Sequence, residues 1–324
     1  MHSDKTTGPS GAQVEQELLG QWRSRGFVVV EHLLSEDEVK HALKEVHQHY
    51  MPTEADYYAN PLKYGQLFDK GPGWIRRDFP FLGESLHRLV VNPRLIGFAE
   101  AVLGTDKLMI SHCHVIGKYA GKRDYDQQLH VDYGNNTVVF PDASHVADLP
   151  TITYLTDVTI GHGPTYVLSR EHTAGKDTKR SHSREEFPEG YEFEEPVTVP
   201  AGSTLIYSMR TLHRGSRMRL RRAVRFTLHM GYRRRDAHYA GAQSWHQSGG
   251  SEAMDGFLEQ ATPRQRELVG FPGIADPYWN EETLDGVAQR YPRIDLAPYR
   301  AALAASRAGG PEGTGPVPNE PPGR

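Results

Sequence analysis

Between Leu108 and Tyr232 the chain repeats one texture: short runs of alternating or β-branched apolar residues, cut by clusters of Gly, Pro, Asn and Asp. The runs are Leu108–Gly117, Gln127–Asp132, Thr151–Val158, Tyr166–Leu168, Val197–Val199, Ser203–Met209 and Val224–Tyr232. Alternation at period two lets a strand bury one face, and closely spaced turn residues make successive strands return on one another. The pattern therefore predicts an antiparallel sandwich or jelly roll over this stretch.

The flanks read differently. Val14, Leu18, Leu19 and Trp22 recur at helical spacing up to Arg25, where Gly26 ends the helix, and Phe27–Val30 is a β-branched run with strand character. Ser35 with Glu38 forms a capping box opening a helix to about Tyr50, and Pro93–Leu103 reads as a helix closed by Gly104. Residues 233–300 return to helical and loop texture. Residues 1–12 and the Pro/Gly-rich tail 309–324 are expected to be disordered. We therefore expect one domain over residues 13–308, with its core at about 105–232 and a helical extension over 233–300; no internal repeat is present.

The bulk numbers exclude several classes of function. The net charge of −4, with 17 histidines, gives no general drive toward nucleic acid or an anionic membrane. Nine arginines crowd Arg214–Arg235. No aromatic residues interleave them in a nucleic-acid-binding pattern, so a basic rim around an anionic ligand, or a solvated face, is the preferred reading. Cys113 is the lone cysteine, which leaves no internal disulfide and no thiolate zinc cage and suits a reducing cytosol. The first residues, MHSDKTTGPSGAQ, lack the apolar core of a signal peptide, and the run Phe27–Val30 is far too short to span a bilayer. The expected setting is cytoplasmic, with no membrane or nucleic-acid partner.

One stretch raises a chemical question. In QQLHVDYGNNT, residues 127–137, His130 and Asp132 stand two apart on an expected strand, so both project from one face just before a turn. They are either a solvent-facing polar pair or two thirds of a metal site. His-x-Asp alone is a weak signal: His2-Ser3-Asp4 repeats it in a segment not expected to fold. The candidate third ligand is His213, at the far end of the strand in AGSTLIYSMRTLHRGS. Two imidazoles and one carboxylate, with no thiolate, suit Fe(II) and leave coordination positions open. Arg225 opens the alternating strand RFTLHMGY and is the candidate grip for a carboxylate, with Arg221 and Arg222 as nearby competitors.

Taken together, RGFVVVEHLLSEDEV, LHVDYGNNT, DVTIGHGPTYVLSREH, GSTLIYSMRTLHRGS, RFTLHMGYRR and RYPRIDLAPYR resemble the phytanoyl-CoA dioxygenase (PhyH-like) family of Fe(II)/2-oxoglutarate-dependent oxygenases. The resemblance implies a mainly β fold with flanking helices, a cupin-like double-stranded β-helix. It implies His130, Asp132 and His213 as iron ligands, Arg225 and Thr137 as residues holding 2-oxoglutarate, and O2 as the second cosubstrate. The implied reaction is hydroxylation of an unactivated C–H in a small-molecule metabolite, with release of succinate and CO2. Halogenating relatives carry a small residue where Asp132 stands, so the carboxylate favours hydroxylation. Desaturation, cyclisation or epimerisation of a natural product remain alternatives, as does a non-catalytic jelly-roll binding protein. The arginine-rich loop between His213 and Arg225 departs from relatives, which often carry Asn or Ser there.

Tyr133, Asn135, Asn136 and Trp245 are candidate substrate contacts, although turn chemistry alone accounts for Gly134-Asn135-Asn136. His112 and His114 form another pair two apart, for which a core or surface position is the plainer reading and a pocket wall the alternative. Pro277–Trp279 reads as a packing cluster. Nothing marks a CoA site, and no signal for oligomeric state is present.

Overall fold

The structure, a computed structural model, describes residues 11–68, 73–122, 125–132, 147–173, 175–176, 179–237, 245 and 248–308. By internal contacts the chain divides into two compact units, Met1–Phe257 and Leu258–Arg324.

The first unit carries the strands. They are β1 (Phe27–Val30), β2 (Ile75–Asp78), β3 (Leu108–Tyr119), β4 (Leu129–His130), β5 (Asp148–Tyr154), β6 (Thr165–Val167), β7 (Ser181–His182), β8 (Glu195–Pro196), β9 (Thr204–Tyr207), β10 (His213–Gly215) and β11 (Val224–Arg234). They form a six-stranded sheet, order β1-β9-β5-β11-β3-β2, and a five-stranded sheet, order β7-β4-β10-β6-β8. Every pairing is antiparallel. This is the expected jelly roll. Residues of both sheets share one apolar cluster, in which Ile152 and Leu205 of the large sheet meet Val167 of the small one.

Strand alternation decides which side chains enter the space between the sheets. On β3, Val115 and Cys113 are fully buried on one side, while His112, His114, Ile116 and Lys118 line a cavity on the other. On β11, Arg225 and His229 line the same cavity, whereas the Phe226 ring turns outward and meets His47 edge-on at 5.1 Å. That histidine belongs to the helix Glu36–His49, whose start carries the expected reciprocal Ser35–Glu38 capping box. The helix Pro93–Leu103 ends, as expected, at Gly104 with φ 67°.

Several strands differ in length from their sequence patterns. Pairing in β4 stops at His130, because its ladder partners β10 and β7 supply only three and two residues. Backbone hydrogen bonds from Gln127 to Gly215 O (2.9 Å) and from Val131 to Arg180 O (3.1 Å) nevertheless continue the extended path. The short edge strand β2, read as IRRD, has no apolar alternation and gave no strand signal.

In the second unit, residues 258–308 form short helices around buried Arg266, which donates to Leu258 O (2.7 Å) and Asp295 O (3.0 Å). Trp279 packs on Tyr299 at 4.5 Å and donates to Gly273 O, as the packing reading of Pro277–Trp279 requires. No helix among the described residues is long and apolar enough to cross a membrane.

The turn into β9 leaves no room for a side chain. Gly202 sits at φ 87°, and a Cβ there would lie 2.6 Å from Leu34 O. Gly202→Ala is expected to lower stability by about 2 kcal/mol through backbone strain and that clash. A shift of the urea midpoint at unchanged slope checks it.

Candidate metal centre and its cavity

The centre is assembled by the small sheet. His130 on β4 and His213 on β10 are directly paired across the antiparallel ladder. Their rings lie 4.4 Å apart. Leu129 and Val131, pointing the other way, are buried with Leu168, Phe187 and Leu212. Apolar burial on one face of this short segment thus projects His130 and Asp132 from the other.

Each imidazole is held by a backbone carbonyl two residues upstream. His130 Nδ1 lies 2.9 Å from Gln128 O and His213 Nδ1 lies 3.0 Å from Thr211 O. In the neutral ring Nδ1–H donates to that carbonyl, so the Nε2 lone pair is left to bind a metal. Asp132 Oδ1 lies 3.7 Å from His213 Nε2, and Tyr207 Oη donates to Asp132 Oδ2 at 2.6 Å. His130, Asp132 and His213 each offer a ligand atom within 4.8 Å of the others, the one such cluster among the described residues. Two nitrogen donors and one carboxylate on a single side leave the remaining positions open toward the cavity.

Burial and the adjacent His213 ring hold His130 down to about 4, so it is neutral and ligand-ready near neutral pH. Burial pushes the Asp132 carboxyl up, but His213, the Tyr207 hydroxyl and His130 more than offset it, and it lies below the usual carboxylate range.

Behind His213, the Arg214 guanidinium grips Glu194 with two hydrogen bonds of 2.7 and 2.5 Å and stacks over Tyr166 at 4.4 Å. Both side chains of that pair are only 6% exposed. A bidentate, buried pair of this kind fixes β10 from its outer side.

The triad opens into a cavity of about 540 Å3, within the roughly 300–1,000 Å3 of small-molecule sites. Arg225 lies in its wall, 9% exposed, cross-strand from Lys118. Arg221 and Arg222 are exposed, and the Arg222 guanidinium sits over the Tyr58 ring at 5.3 Å. Of the three competing arginines, only Arg225 reaches the cavity.

Tyr133, Asn135, Asn136 and Thr137 lie outside the described residues. Trp245 is half-buried, packs edge-on against Phe79 at 5.0 Å, and is not among the cavity-lining residues. His112 and His114, for which core or surface was the plainer reading, line the cavity with His229. The His114 and His229 rings stack at 5.2 Å. Lys118, Tyr207 and Asp148 also line it and were missed. The signal for Lys118 and the histidines was present in the period-two alternation of LMISHCHVIGKY, which puts all three on one face.

The family described as Phytanoyl-CoA dioxygenase (PhyH) matches residues 22–222. Among solved structures, the non-heme alpha-ketoglutarate-dependent carbocyclase SnoK from nogalamycin biosynthesis is similar in fold at TM-score 0.52 and 22% identity, over 75% of this chain and 93% of that one. HygX from Streptomyces hygroscopicus, solved with nickel, 2-oxoglutarate and hygromycin B bound, is similar at TM-score 0.50 and 17% identity, over 70% and 95% of the two chains. A search of curated proteins finds no match.

Burial, Arg76 and His112 hold His114 down to about 3, and burial likewise lowers His112 and His229. These rings are neutral in the fold, whereas in the unfolded chain they protonate near 6.5. Below that pH the unfolded state binds more protons, so stability falls as pH falls. Asp148 acts in the opposite sense: burial raises it to about 7, so it costs stability as pH rises from 3.8 to that value. With His130 making four depressed histidines against one raised acid, the metal-free protein is expected to weaken between pH 7.5 and 5.5. His114→Gln should reduce that loss by about 1.4 kcal/mol, one proton's worth over this window, in urea unfolding at the two pH values.

Proposed function

This chain belongs to the phytanoyl-CoA dioxygenase family, and on that premise we propose that it is an Fe(II)- and 2-oxoglutarate-dependent dioxygenase that hydroxylates an unactivated C–H of a small-molecule metabolite. The observation that carries this reading is the convergence of His130, Asp132 and His213 at the wall of a cavity. The donor set fits the ion: two imidazole nitrogens, one ionised carboxylate and no thiolate suit Fe(II) and leave open positions for cosubstrates. Iron with 2-oxoglutarate and O2 supplies an oxidant strong enough to take hydrogen from carbon, giving succinate and CO2 as coproducts.

The chain's own residues do the rest. Nε2 of His130, Nε2 of His213 and a carboxylate oxygen of Asp132 would hold the ion. Tyr207 fixes the second Asp132 oxygen by its 2.6 Å hydrogen bond, orienting the ligand and holding it ionised. Arg225, on a rigid central strand, grips the distal carboxylate of 2-oxoglutarate, and the Lys118 ammonium beside it adds a second positive charge. Ser216 O holds that ammonium in place at 2.7 Å. Arg225 and Lys118 are themselves buried, which lowers the local dielectric and strengthens these charge contacts. A carboxylate at 132, where halogenating relatives carry a small residue, supports hydroxylation over halogenation.

Anaerobic titration with Fe(II) and 2-oxoglutarate, followed by succinate release and product mass, tests the reading. A product that gains one oxygen supports hydroxylation, and one that loses two hydrogens assigns the same site to desaturation. Asp132→Ala should abolish succinate release. Tyr207→Phe should weaken metal affinity by about ten- to a hundred-fold. Arg225→Leu should weaken 2-oxoglutarate binding by about thirty-fold or more, because a buried charge pair loses one partner. Exposed Arg222→Leu should leave cosubstrate affinity intact. If instead Arg222→Leu destroys that affinity and Arg225→Leu spares it, the anchor is misassigned.

A further inference from the structure

The cavity wall built by the large sheet is unusually polar for a surface this deeply buried. His112, His114 and His229 stand on it together with Ser111 and Asp148. A register shift at Gly231/Tyr232 creates this wall, because it leaves Ser111 as an extra residue between the paired positions His112 and Ile110. Two consecutive side chains, Ser111 and His112, therefore line the cavity instead of alternating across the sheet. Gly231 makes the space: a Cβ there would lie 2.4 Å from Ser111 Oγ and 2.5 Å from His112 Cε1.

Two buried polar atoms on this wall have no hydrogen-bond partner among the described residues: Asp148 Oδ1, on a residue 4% exposed, and His114 Nδ1. Polar atoms buried without partners are rare and call for a ligand or water. The rings of Trp74 and Tyr125, which also line the cavity, stack at 6.2 Å.

We propose that this wall binds a neutral, multiply hydroxylated small molecule of sugar or cyclitol type, seated with its hydroxyl groups against Asp148, His114 and His112. The inference rests on the oxygenase reading only in taking the bound molecule to be the substrate. A hydroxyl group both donates and accepts, as a neutral imidazole does, so each ring nitrogen finds a partner whichever tautomer it adopts. A hydrocarbon chain in this place would leave Asp148 Oδ1 and His114 Nδ1 buried and dry, which is disfavoured for each. An anionic head group would face the Asp132 and Asp148 carboxyls, while the nearby cation Arg76 is engaged by Asp78 at 2.7 Å. A cationic amine would meet Lys118 and Arg225 across the same cavity.

The test uses the full chain loaded with Ni(II) and 2-oxoglutarate. Saturation-transfer NMR and calorimetry would probe a panel of methyl glycosides and cyclitols, their amino-substituted counterparts, and decanoic acid. Binding of one or more neutral polyols, weakened about ten-fold or more by His114→Leu and by Asp148→Leu, supports the assignment. Asp148→Asn, which keeps a donor and an acceptor, should retain most of that affinity and guards against a folding defect in the leucine variant. Binding of decanoic acid in preference to every polyol overturns it. So does tighter binding of the amines, the absence of any polyol binding, or polyol binding that survives both leucine substitutions. Titration of Ni(II) and 2-oxoglutarate in the same samples separates the two readings. Polyol binding without cosubstrate binding sinks the oxygenase function alone, and cosubstrate binding without polyol binding sinks this inference alone.

Discussion

The cross-strand pairing of His130 with His213 is the constraint on which the rest of the site depends. These residues are far apart in the chain, and the antiparallel register of β4 and β10 sets them directly opposite each other. A slip of one residue in either strand would turn its imidazole into the apolar cluster around Leu168 and Phe187 and bring Leu129 or Leu212 into the cavity. Burial of those apolar side chains therefore specifies the register, and the register places the two histidines of the triad. The carbonyls of Gln128 and Thr211 then fix each ring's rotation and tautomer, so the site is preorganised before any ion arrives.

So short a ladder cannot hold that register by itself, and its bracing comes from the outer side. Tyr191 Oη accepts from Leu129 N at 3.0 Å and donates to His182 O at 2.8 Å, tying β4 and β7 to the short helix Pro188–Glu192. The Arg214 guanidinium lies between the Tyr166 and Tyr191 rings, at 4.4 and 5.6 Å, with Glu194 completing the clamp. Removing one partner of such a buried pair leaves an uncompensated charge, at a cost of about 3–5 kcal/mol. The small sheet thus combines polar locks outside with the His-Asp-His triad inside, and the large sheet supplies the back wall.

What the sequence revealed follows from how local each signal was. The capping box at Ser35, the helix stop at Gly104 and the alternation in RFTLHMGY are written within a few residues, and each matches the observed element. His130 and Asp132 were legible because they lie two apart on one strand. His213 was legible only as a candidate, since nothing local says which distant histidine closes the triad. Tyr207 and Asp148 were not legible. Their place at the cavity depends on how β9 and β5 pair with their neighbours, and an isolated Tyr or Asp in a strand pattern gives no sign of that. Which of Arg221, Arg222 and Arg225 stands in the cavity wall likewise turned on where β11 begins. One strand start separates a buried guanidinium from two exposed ones.

The histidine wall shows how the bland reading failed. A pair two apart on a strand usually belongs to core or surface, and that expectation assumes one face of the strand meets solvent or apolar packing. Here β3 lies between the Phe226 side of the sheet, covered by helix, and a cavity that is neither core nor surface. Placing several ionisable rings there is tolerable only because burial holds them uncharged, so the desolvation cost is that of neutral polar groups and not of ions. A metal ion at the triad would reinforce that neutrality by repelling protons from the neighbouring imidazoles. Metal centre and polar wall are in this way electrostatically compatible. Such an ion would also keep the facing rings in the form that can both give and receive a hydrogen bond.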